Sequence, residues 1–552
     1  MLRVLNNSKE EFISGNEAIV RGALESGISY VASYPGTPAS EIGDIFSEIS
    51  KLKKEIYFEW STNEKVALEG AAGAAFLGTK ALVSMKQYGL NVALDSFMPL
   101  AYLECPLVVI VADDPGCFSS VQTEEDSRWF SYLSHIPTLN PSTPSDAKEM
   151  TRIAFEIAFK YKVPVLIRMT TRVCYTKERV GFNEIKIDKK REKGFLKPKG
   201  EFIVGAEETV KRHKLLILKN EKIRKEVSEK GLLNFEDKGK GGVGIVSLGI
   251  GYQYTKEALK NLGLDIPIFK IGLSYPFPEE RVVKFLSRLR QVLVFEENDP
   301  IIEMEIARVA QENKINIEIL KKDLLFQIGE LSTEKIENAL RKIFNFDSAS
   351  SYPIEKDIKL PLRFPQWCLG CPHRQTFEAV KTALGKDKIF GGDIGCYMLG
   401  ANPPYKMMDY VISMGAGLGV AHGISKFISC SRNYKKPVAF IGDSTFFHAG
   451  IPALINMVFN KSDVLVIILD NSIAAMTGRQ PHPGTGENAK GESAKIDIVN
   501  LAKSIGVDFV KEVNVYDFKK AVSTIKKAYA EKGVSVVIAK GECVLYRKNK
   551  NK

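Results

Sequence analysis

The sequence predicts an α/β protein of several domains, built on parallel sheets flanked by helices. Three observations predict it. Short apolar runs of strand length alternate with longer helical stretches over residues 14–180, and the alternation returns after residue 241 and again after residue 360. The strand runs are apolar on both faces, the pattern of a sheet covered by helices on each side. The chain has 552 residues, which by length alone corresponds to about three to four domains.

In chain order, residues 28–33 read as a strand, 65–77 as a helix, 81–85 and 106–112 as strands, and 162–169 as another, which together make a first domain over residues 1–190. Residues 191–240 read as a Lys-rich linker in which Lys and Glu alternate. A small α/β domain over 241–350 follows, opening on Gly241-Gly242-Val243-Gly244-Ile245-Val246-Ser247-Leu248-Gly249. That string lacks the full glycine spacing of a dinucleotide fingerprint and reads as a tight strand-to-helix turn. Strands at 267–271 and 291–296 complete it, and Asp347-Ser348-Ala349-Ser350-Ser351 reads as a polar link to the third domain, 351–552. This last domain is again α/β and carries five of the eight cysteines.

Hydrophobic residues at 45% and charged residues at 26% exclude a disordered or fibrous chain, and eight cysteines in this length are no disulfide scaffold. The first residues reach charge at Arg3, Lys9, Glu10 and Glu11 before any apolar signal core forms, and the longest apolar runs are strand-sized. The expectation is a cytoplasmic, soluble protein that is not bound to a membrane. The net charge of +11 comes from 77 basic against 66 acidic residues; the excess sits in a Lys/Glu stretch with few aromatics for base stacking, so nucleic acid is not an expected partner.

Chemistry concentrates in a few motifs. Gly442-Asp443-Ser444 follows a strand, and 28 positions after Asp443 comes Asn471 at the end of the next one. The carboxyl ends of neighbouring strands are where an open α/β sheet binds ligands. Asp443, the Asn471 side chain and a backbone carbonyl near Ile473 suit Mg²⁺, which takes oxygen ligands and completes its shell with a diphosphate. The glycine admits phosphates close to the backbone, and a helix starting near Phe447 offers them free N–H groups. The same residues also read as plain turns after strands. Ser61-Thr62-Asn63-Glu64 precedes an Ala- and Gly-rich helix, where Glu64 reads either as an acid for catalysis or as half of a capping box with Ser61. Tyr34-Pro35-Gly36-Thr37-Pro38 makes a rigid loop after the first strand. Cys368 and Cys371 form a C-x-x-C pair, Cys396 follows Gly395, and Cys543 comes late. Four thiolates suit a [4Fe–4S] cluster or zinc, and a C-x-x-C alone also suits a redox disulfide. Cys105, Cys117, Cys174 and Cys430 are scattered singly and read as small hydrophobes.

The text Ile441-Gly442-Asp443-Ser444-Thr445-Phe446-Phe447-His448, with Leu469-Asp470-Asn471-Ser472-Ile473-Ala474-Ala475-Met476-Thr477-Gly478, resembles the thiamine diphosphate fold signature. It is similar in particular to the large, or alpha, subunit of the indolepyruvate type of 2-oxoacid ferredoxin oxidoreductase. The resemblance covers most of the chain and weakens in the Lys-rich stretch. It implies a multi-domain thiamine diphosphate-binding fold, with the first domain facing the pyrimidine ring, the last holding the diphosphate, and the small one like a transketolase C-terminal domain. It implies that Gly442, Asp443, Ser444, Asn471, Ile473 and Pro35 hold thiamine diphosphate and Mg²⁺. Glu64 would be the acid beside the pyrimidine and Thr37 would bind the substrate carboxylate. Cys368, Cys371, Cys396 and Cys543 would hold one [4Fe–4S] cluster.

The implied reaction is oxidative decarboxylation of an arylpyruvate such as indolepyruvate to its acyl-CoA, with CoA as cosubstrate and ferredoxin as electron acceptor. The implied assembly is a dimer of heterodimers with a smaller beta-type subunit. A non-redox thiamine decarboxylase or carboligase is the alternative, which the C-x-x-C pair and Cys396 disfavour. Large subunits of this type commonly continue into a ferredoxin-like module with Cys-rich motifs, whereas nine residues follow Cys543 here and none is Cys; the expectation is that electrons pass directly to a separate protein.

Overall fold

The computed structural model describes residues 2–119, 123–186, 206–230, 233–321, 324–345, 361, 365–428 and 435–550. The chain divides into two units, Met1–Pro353 and Ile354–Lys552. In the first unit, a seven-stranded sheet has the spatial order Leu273–Tyr275, Thr138–Leu139, Val165–Thr170, Leu107–Asp113, Ala81–Lys86, Tyr30–Ser33 and Tyr57–Trp60. Every neighbouring pair is parallel except the first, where Leu273–Tyr275 joins antiparallel. All four strands expected for the first domain are present. The last begins at Val165 rather than at 162, because Lys162 takes a left-handed conformation (φ 50°) that closes the helix Pro144–Tyr161. Tyr57–Trp60 was not anticipated: it is a half-buried edge strand with a Glu in it, so it lacks the apolar run of its central neighbours.

Helices are stapled onto this sheet by their ends. Ser14 caps Gly15–Glu25 through a complete capping box with Glu17, and that helix packs on Pro144–Tyr161 at Gly22, where a Cβ would come 2.4 Å from the Lys148 carbonyl oxygen. A second sheet orders Glu318–Ile319, Gln291–Phe295, Val243–Leu248, Ile268–Ile271 and Phe235–Asp237. Gly249, at φ +54°, makes the expected strand-to-helix turn into Ile250–Leu262. Within the stretch read as a linker, residues 206–230 form the helix Ala206–Lys230; residues 187–205, the 347–351 link and Cys430 lie outside the described residues.

The two sheets of this unit are joined through buried charge. Arg128, fully buried, donates to Glu296 at 2.6 Å and to the Glu297 carbonyl at 2.9 Å, and it pairs with Asp126. Arg168 donates to Asp113 at 2.6 Å. Two guanidinium groups thus face four buried carboxylates, and the excess negative charge is relieved by proton uptake. Burial pushes the Glu297 carboxyl up to about 7 against the opposing pull of Arg168, and burial also raises Asp113.

In the second unit a five-stranded, wholly parallel sheet runs Phe390–Gly391, Val438–Gly442, Leu465–Asp470, Ser535–Lys540 and Phe509–Asn514. Its central strand shows the period of two: Leu465, Ile467 and Leu469 enter one core with Phe377 and Phe440, while Val466 and Ile468 enter the other with Ile441 and Leu454. Among the described residues, no helix is long and apolar enough to cross a membrane.

The raised Glu297 carboxyl sets a pH dependence. Its stabilising contribution is fully present below its ordinary value of 4.5 and is lost as pH rises through about 7. Glu297→Gln, which keeps an acceptor for the Leu331 N–H, is expected to flatten that slope. Relative to the parent, its melting temperature should be higher at pH 8 than at pH 5 by about 3 °C or more; parallel curves in thermal melts across this range would refute it.

Candidate active site

In the second unit, three adjacent strands and one helix deliver their functional residues to one sheet edge. Gly442 lies opposite Leu469, and Asp470 opposite Lys540. Asp443, Asp470-Asn471 and Cys543 therefore leave neighbouring strands at the same level. Phe390–Gly391, on the other side of Val438–Gly442, leads into Gly392-Asp393-Ile394-Gly395-Cys396. Gly442 has to be glycine: a Cβ there would come 2.5 Å from the Tyr397 ring.

Asp443 is buried and held by backbone. Its Oδ1 accepts the Ser444 N–H at 2.8 Å, and its Oδ2 accepts the N–H groups of Asn471 at 3.1 Å and Ser472 at 2.8 Å. Ser472 reaches this position in the left-handed region, φ 61°, an uncommon conformation for a non-glycine residue that recurs at functional sites. The His482 Nε2 lies 3.2 Å from the same oxygen. Burial opposes the charge on Asp443, yet His482 and these hydrogen bonds hold its carboxyl below the usual range, whereas burial and the charge of Asp443 push Asp470 up to about 6. Asn471 Oδ1 accepts the Ile473 N–H at 3.0 Å, and its Nδ2 lies 3.1 Å from His373 Nε2. Buried Asp443, half-buried Asp470, an amide oxygen and the buried Ile473 backbone form a hard-oxygen donor set with excess negative charge, and this fits a small divalent cation.

The helix expected from near Phe447 starts earlier. Asp443–Thr445 is already helical, a π-helical turn covers Phe446–Gly450, and Ile451–Phe459 continues as α-helix. The consequence is that Asp443 itself stands in the first turn.

The four expected thiols collect beside this anchor. The Cys543 N–H donates to the Asn471 carbonyl at 3.1 Å, the Trp367 Nε1 donates to the Cys396 carbonyl at 2.7 Å, and the Tyr516 hydroxyl donates to the Gly370 carbonyl at 2.9 Å. Burial pushes the Cys396 thiol up to about 12, with the charges of Cys371, Cys543 and Cys368 adding to the rise; burial likewise raises Cys371, on which Cys368 and Cys543 also act. Each sulfur is thus within electrostatic reach of the others, and a group that accepts thiolate charge would reverse those shifts. Among the described residues, no three His, Cys, Asp or Glu side chains are drawn together at metal-ligating separations. Cys105 and Cys174, by contrast, are buried singly, and burial raises both.

Two residues here were missed by sequence reasoning. His373 follows the C-x-x-C pair at the start of the helix Pro372–Leu384; burial drops it to about 4, so its neutral ring accepts from Asn471 and ties that pair to the anchor. Asp393 accepts the N–H groups of Ile394 at 2.7 Å and Gly415 at 2.8 Å, and burial pushes it up to about 7. The available signal was a second Gly-Asp after a short apolar run, Gly392-Asp393.

The first unit carries the other expected residues, again at the carboxyl edge of its sheet. Glu64 is buried as the first residue of the helix Glu64–Phe76. The capping box expected from Ser61 is not formed: Asn63 is the cap, accepting the Val66 N–H at 2.9 Å, and the Ser61 hydroxyl donates to Glu59 at 2.8 Å. Three residues separate strand from helix, and the cap falls on the last of them, Asn63, with Glu64 as the first helical residue. Gly89 makes room for it, since a Cβ there would lie 2.6 Å from Glu64 Cγ and 2.8 Å from Oε1. The loop of Pro35 and Thr37 is fastened at its far end: Ser119 Oγ donates to the Thr37 carbonyl at 2.9 Å and Asn16 Nδ2 to the Pro38 carbonyl at 3.0 Å. Pro35 is buried and Thr37 half-buried. Glu64 and the loop meet at a third group, Lys86, which packs under Gly36 and feels the charge of Glu64.

The chain is similar to known proteins along nearly its whole length. A family described as "Pyruvate flavodoxin/ferredoxin oxidoreductase, thiamine diP-bdg" matches residues 21–231, and "Thiamine pyrophosphate enzyme, C-terminal TPP binding domain" matches residues 393–539. The indolepyruvate oxidoreductase subunit IorA of Pyrococcus horikoshii is 42% identical over 97% of this chain and 85% of its own, and that of Methanothermobacter marburgensis is 42% identical over 97% and 87%. Among solved structures, 2-oxoglutarate:ferredoxin oxidoreductase from Magnetococcus marinus shares the fold at TM-score 0.51 and 17% identity, covering 61% of this chain and 65% of that one. The chain therefore belongs to the family of indolepyruvate oxidoreductase IorA subunits, thiamine diphosphate-dependent enzymes of the 2-oxoacid oxidoreductase group.

Proposed function

We propose that this chain is the large subunit of an enzyme that oxidatively decarboxylates an arylpyruvate such as indolepyruvate to its acyl-CoA, passing the released electron pair one electron at a time through a [4Fe–4S] cluster to ferredoxin. The observation that carries the reading is the Cys543 N–H to Asn471 carbonyl bond, which makes the thiol group continuous with the diphosphate anchor. A non-redox decarboxylase has no use for thiols there. The relatives named as indolepyruvate oxidoreductase subunits support the substrate class. The solved relative bound to 2-oxoglutarate, coenzyme A and succinyl-CoA supports the acyl acceptor. A smaller beta-type subunit completes the assembly as a dimer of heterodimers.

Thiamine diphosphate, when bound, supplies the electron sink for loss of CO₂, and the cluster supplies single-electron acceptance. The chain's own residues do the rest. Asp443, the Asn471 side chain and the Ile473 carbonyl hold Mg²⁺ and through it the diphosphate, while Gly442 and Ser444 line the phosphates. Glu64, buried at its helix start, holds and moves a proton at the pyrimidine side. Pro35 and Thr37 border the substrate. Cys368, Cys371, Cys396 and Cys543 hold the cluster, and closing on it requires the four thiols to lose their protons.

Asp443→Ala is expected to weaken thiamine diphosphate binding at least ~10-fold in the presence of Mg²⁺, since it removes the charged oxygen ligand; undiminished affinity by calorimetry would place the diphosphate elsewhere. Glu64→Gln should fold and bind the cofactor like the parent while losing turnover about 10²-fold or more, and a parental rate would leave Glu64 a packing residue. The experiment that tests the whole reading is anaerobic purification with iron and sulfide analysis. About four irons per chain are expected, and Cys371→Ala should lose arylpyruvate-dependent reduction of a viologen dye yet keep cofactor affinity within about 3-fold. Stoichiometric zinc without dye reduction would instead support the non-redox decarboxylase, and a Cys371 variant that still reduces the dye would overturn the assignment of the cluster to these thiols.

A further inference from the structure

Lys86 is a cation without a hydrogen-bond or ion-pair partner among the described residues. It ends the strand Ala81–Lys86 on the carboxyl edge of the first sheet and is half-buried. Among the described residues its ammonium makes no hydrogen bond and no ion pair; the group it addresses is the Tyr88 ring, 5.8 Å from the centroid. Glu64 and Asp114 act on it from a distance, yet burial outweighs them and holds its pKa below the ordinary lysine value. Asp114 is already engaged, accepting from Ser119 Oγ and N–H at 2.6 Å and from Thr171.

The surroundings add to the same demand. Lys86 is also the residue that caps the helix Gln87–Leu100, with no side-chain cap bond and no acid in the first turn. A cation at the positive end of a helix is repelled by it, and that end is where an anion is favoured. Next in sequence, Gln87 is fully buried with neither Oε1 nor Nε2 hydrogen-bonded, at a cost that a native fold retains only for a reason. An unpaired ammonium therefore stands at a helix start, and an anion would satisfy both.

The loop that closes over this point carries Thr37. A Cβ on Gly36 would come 2.9 Å from Lys86 Cγ and 3.2 Å from Cδ, so the loop rests on the lysine stem and fixes its direction. The ligand charge is limited from the other side. Glu64 and Asp114 lie near enough to act on the ammonium, and a diphosphate would set several negative charges beside two carboxylates with one cation to balance them. A monoanionic carboxylate does not have that difficulty.

We propose that Lys86 binds the carboxylate of the 2-oxoacid substrate beside Thr37 and is the residue that makes the enzyme select acids. This inference rests on the functional reading above. Its test uses the purified enzyme with its companion subunit and four proteins: parent, Lys86→Met, Lys86→Arg and Gly36→Ala. The probes are indolepyruvate for turnover, and indolelactate and its methyl ester for binding without reaction. Lys86→Met should raise KM for indolepyruvate and Kd for indolelactate about 10- to 100-fold, the range of a charge-assisted bond. Ester affinity, thiamine diphosphate affinity and melting temperature should stay near the parent. Lys86→Arg should restore acid binding to within about 5-fold, and Gly36→Ala, by displacing the stem, should weaken the acid more than the ester. Parental KM and Kd in Lys86→Met, or equal losses for acid and ester, would overturn the assignment. A parent that turns over no 2-oxoacid would sink the functional reading instead, and the acid-against-ester comparison would still decide Lys86.

Discussion

A parallel sheet buried on both faces has one place for polar side chains to meet a ligand, its carboxyl edge, and this constraint organises both units. The strands of the first and second units are apolar along their length because helices cover each face. Polar residues therefore collect where strands end: Thr37, Glu64, Lys86 and Asp114 in one unit, and Asp393, Asp443, Asp470 and Asn471 in the other. Helices begin at the same edge and point free N–H groups toward it, so anions are attracted there before any side chain acts. Register does the fine placement. Gly442 opposite Leu469 and Asp470 opposite Lys540 put the functional residues of three strands at one height, and a slip of one residue would turn each of them to the wrong face.

This is why so much was legible in the sequence. Strand runs such as 81–85 and 106–112 announce themselves through uninterrupted apolar residues, and Gly442-Asp443 and Asn471 are legible because they stand immediately after such runs. What stayed hidden depends on contacts between distant segments. Tyr57–Trp60 is an edge strand without an apolar run, and Leu273–Tyr275 crosses from the second segment to pair with Thr138–Leu139, a long-range pairing with no local signal. Glu64 was ambiguous because S-x-x-E is a valid capping box; the start of the strand-to-helix turn decided for Asn63 as cap, and that decision needs the backbone. His373 and Asp393 were invisible as site residues because their importance lies in what they touch, Asn471 in one case and Gly415 and Tyr397 in the other.

Burial of charge serves two ends here, and the difference is in the partners. Around Arg128 and Arg168 every guanidinium has carboxylates in contact and the surplus acid, Glu297, is relieved by a raised pKa. Such a network pairs each charge with an opposite one as it joins the two sheets of the first unit. Two buried arginines with carboxylate partners give specificity to that junction more than net stability, since removing one partner leaves the rest uncompensated. Lys86 and Gln87 are open by comparison. Neither finds a partner within the described chain, and their demand is met from outside.

The second unit applies the same logic to sulfur. A thiol buried among other thiols resists ionisation, and Cys396 shows it most, with burial and three neighbouring sulfurs all raising its pKa. The protein spends backbone hydrogen bonds to hold that arrangement: Trp367 to the Cys396 carbonyl, Tyr516 to the Gly370 carbonyl, Cys543 to the Asn471 carbonyl. If the thiols served only to fill a core, nothing would require their backbones to be tied to one another and to Asn471, because isolated buried cysteines such as Cys105 pack without such ties. The bonds fix positions rather than burial, and fixed positions for four sulfurs matter to a group that binds thiolates. The anchor shares in that order through Asn471, whose carbonyl faces Cys543 while its side chain faces His373 and Ile473. One asparagine thus sets the height of Asp443 against that of Cys543, and a change in either is felt by the other through a single peptide unit.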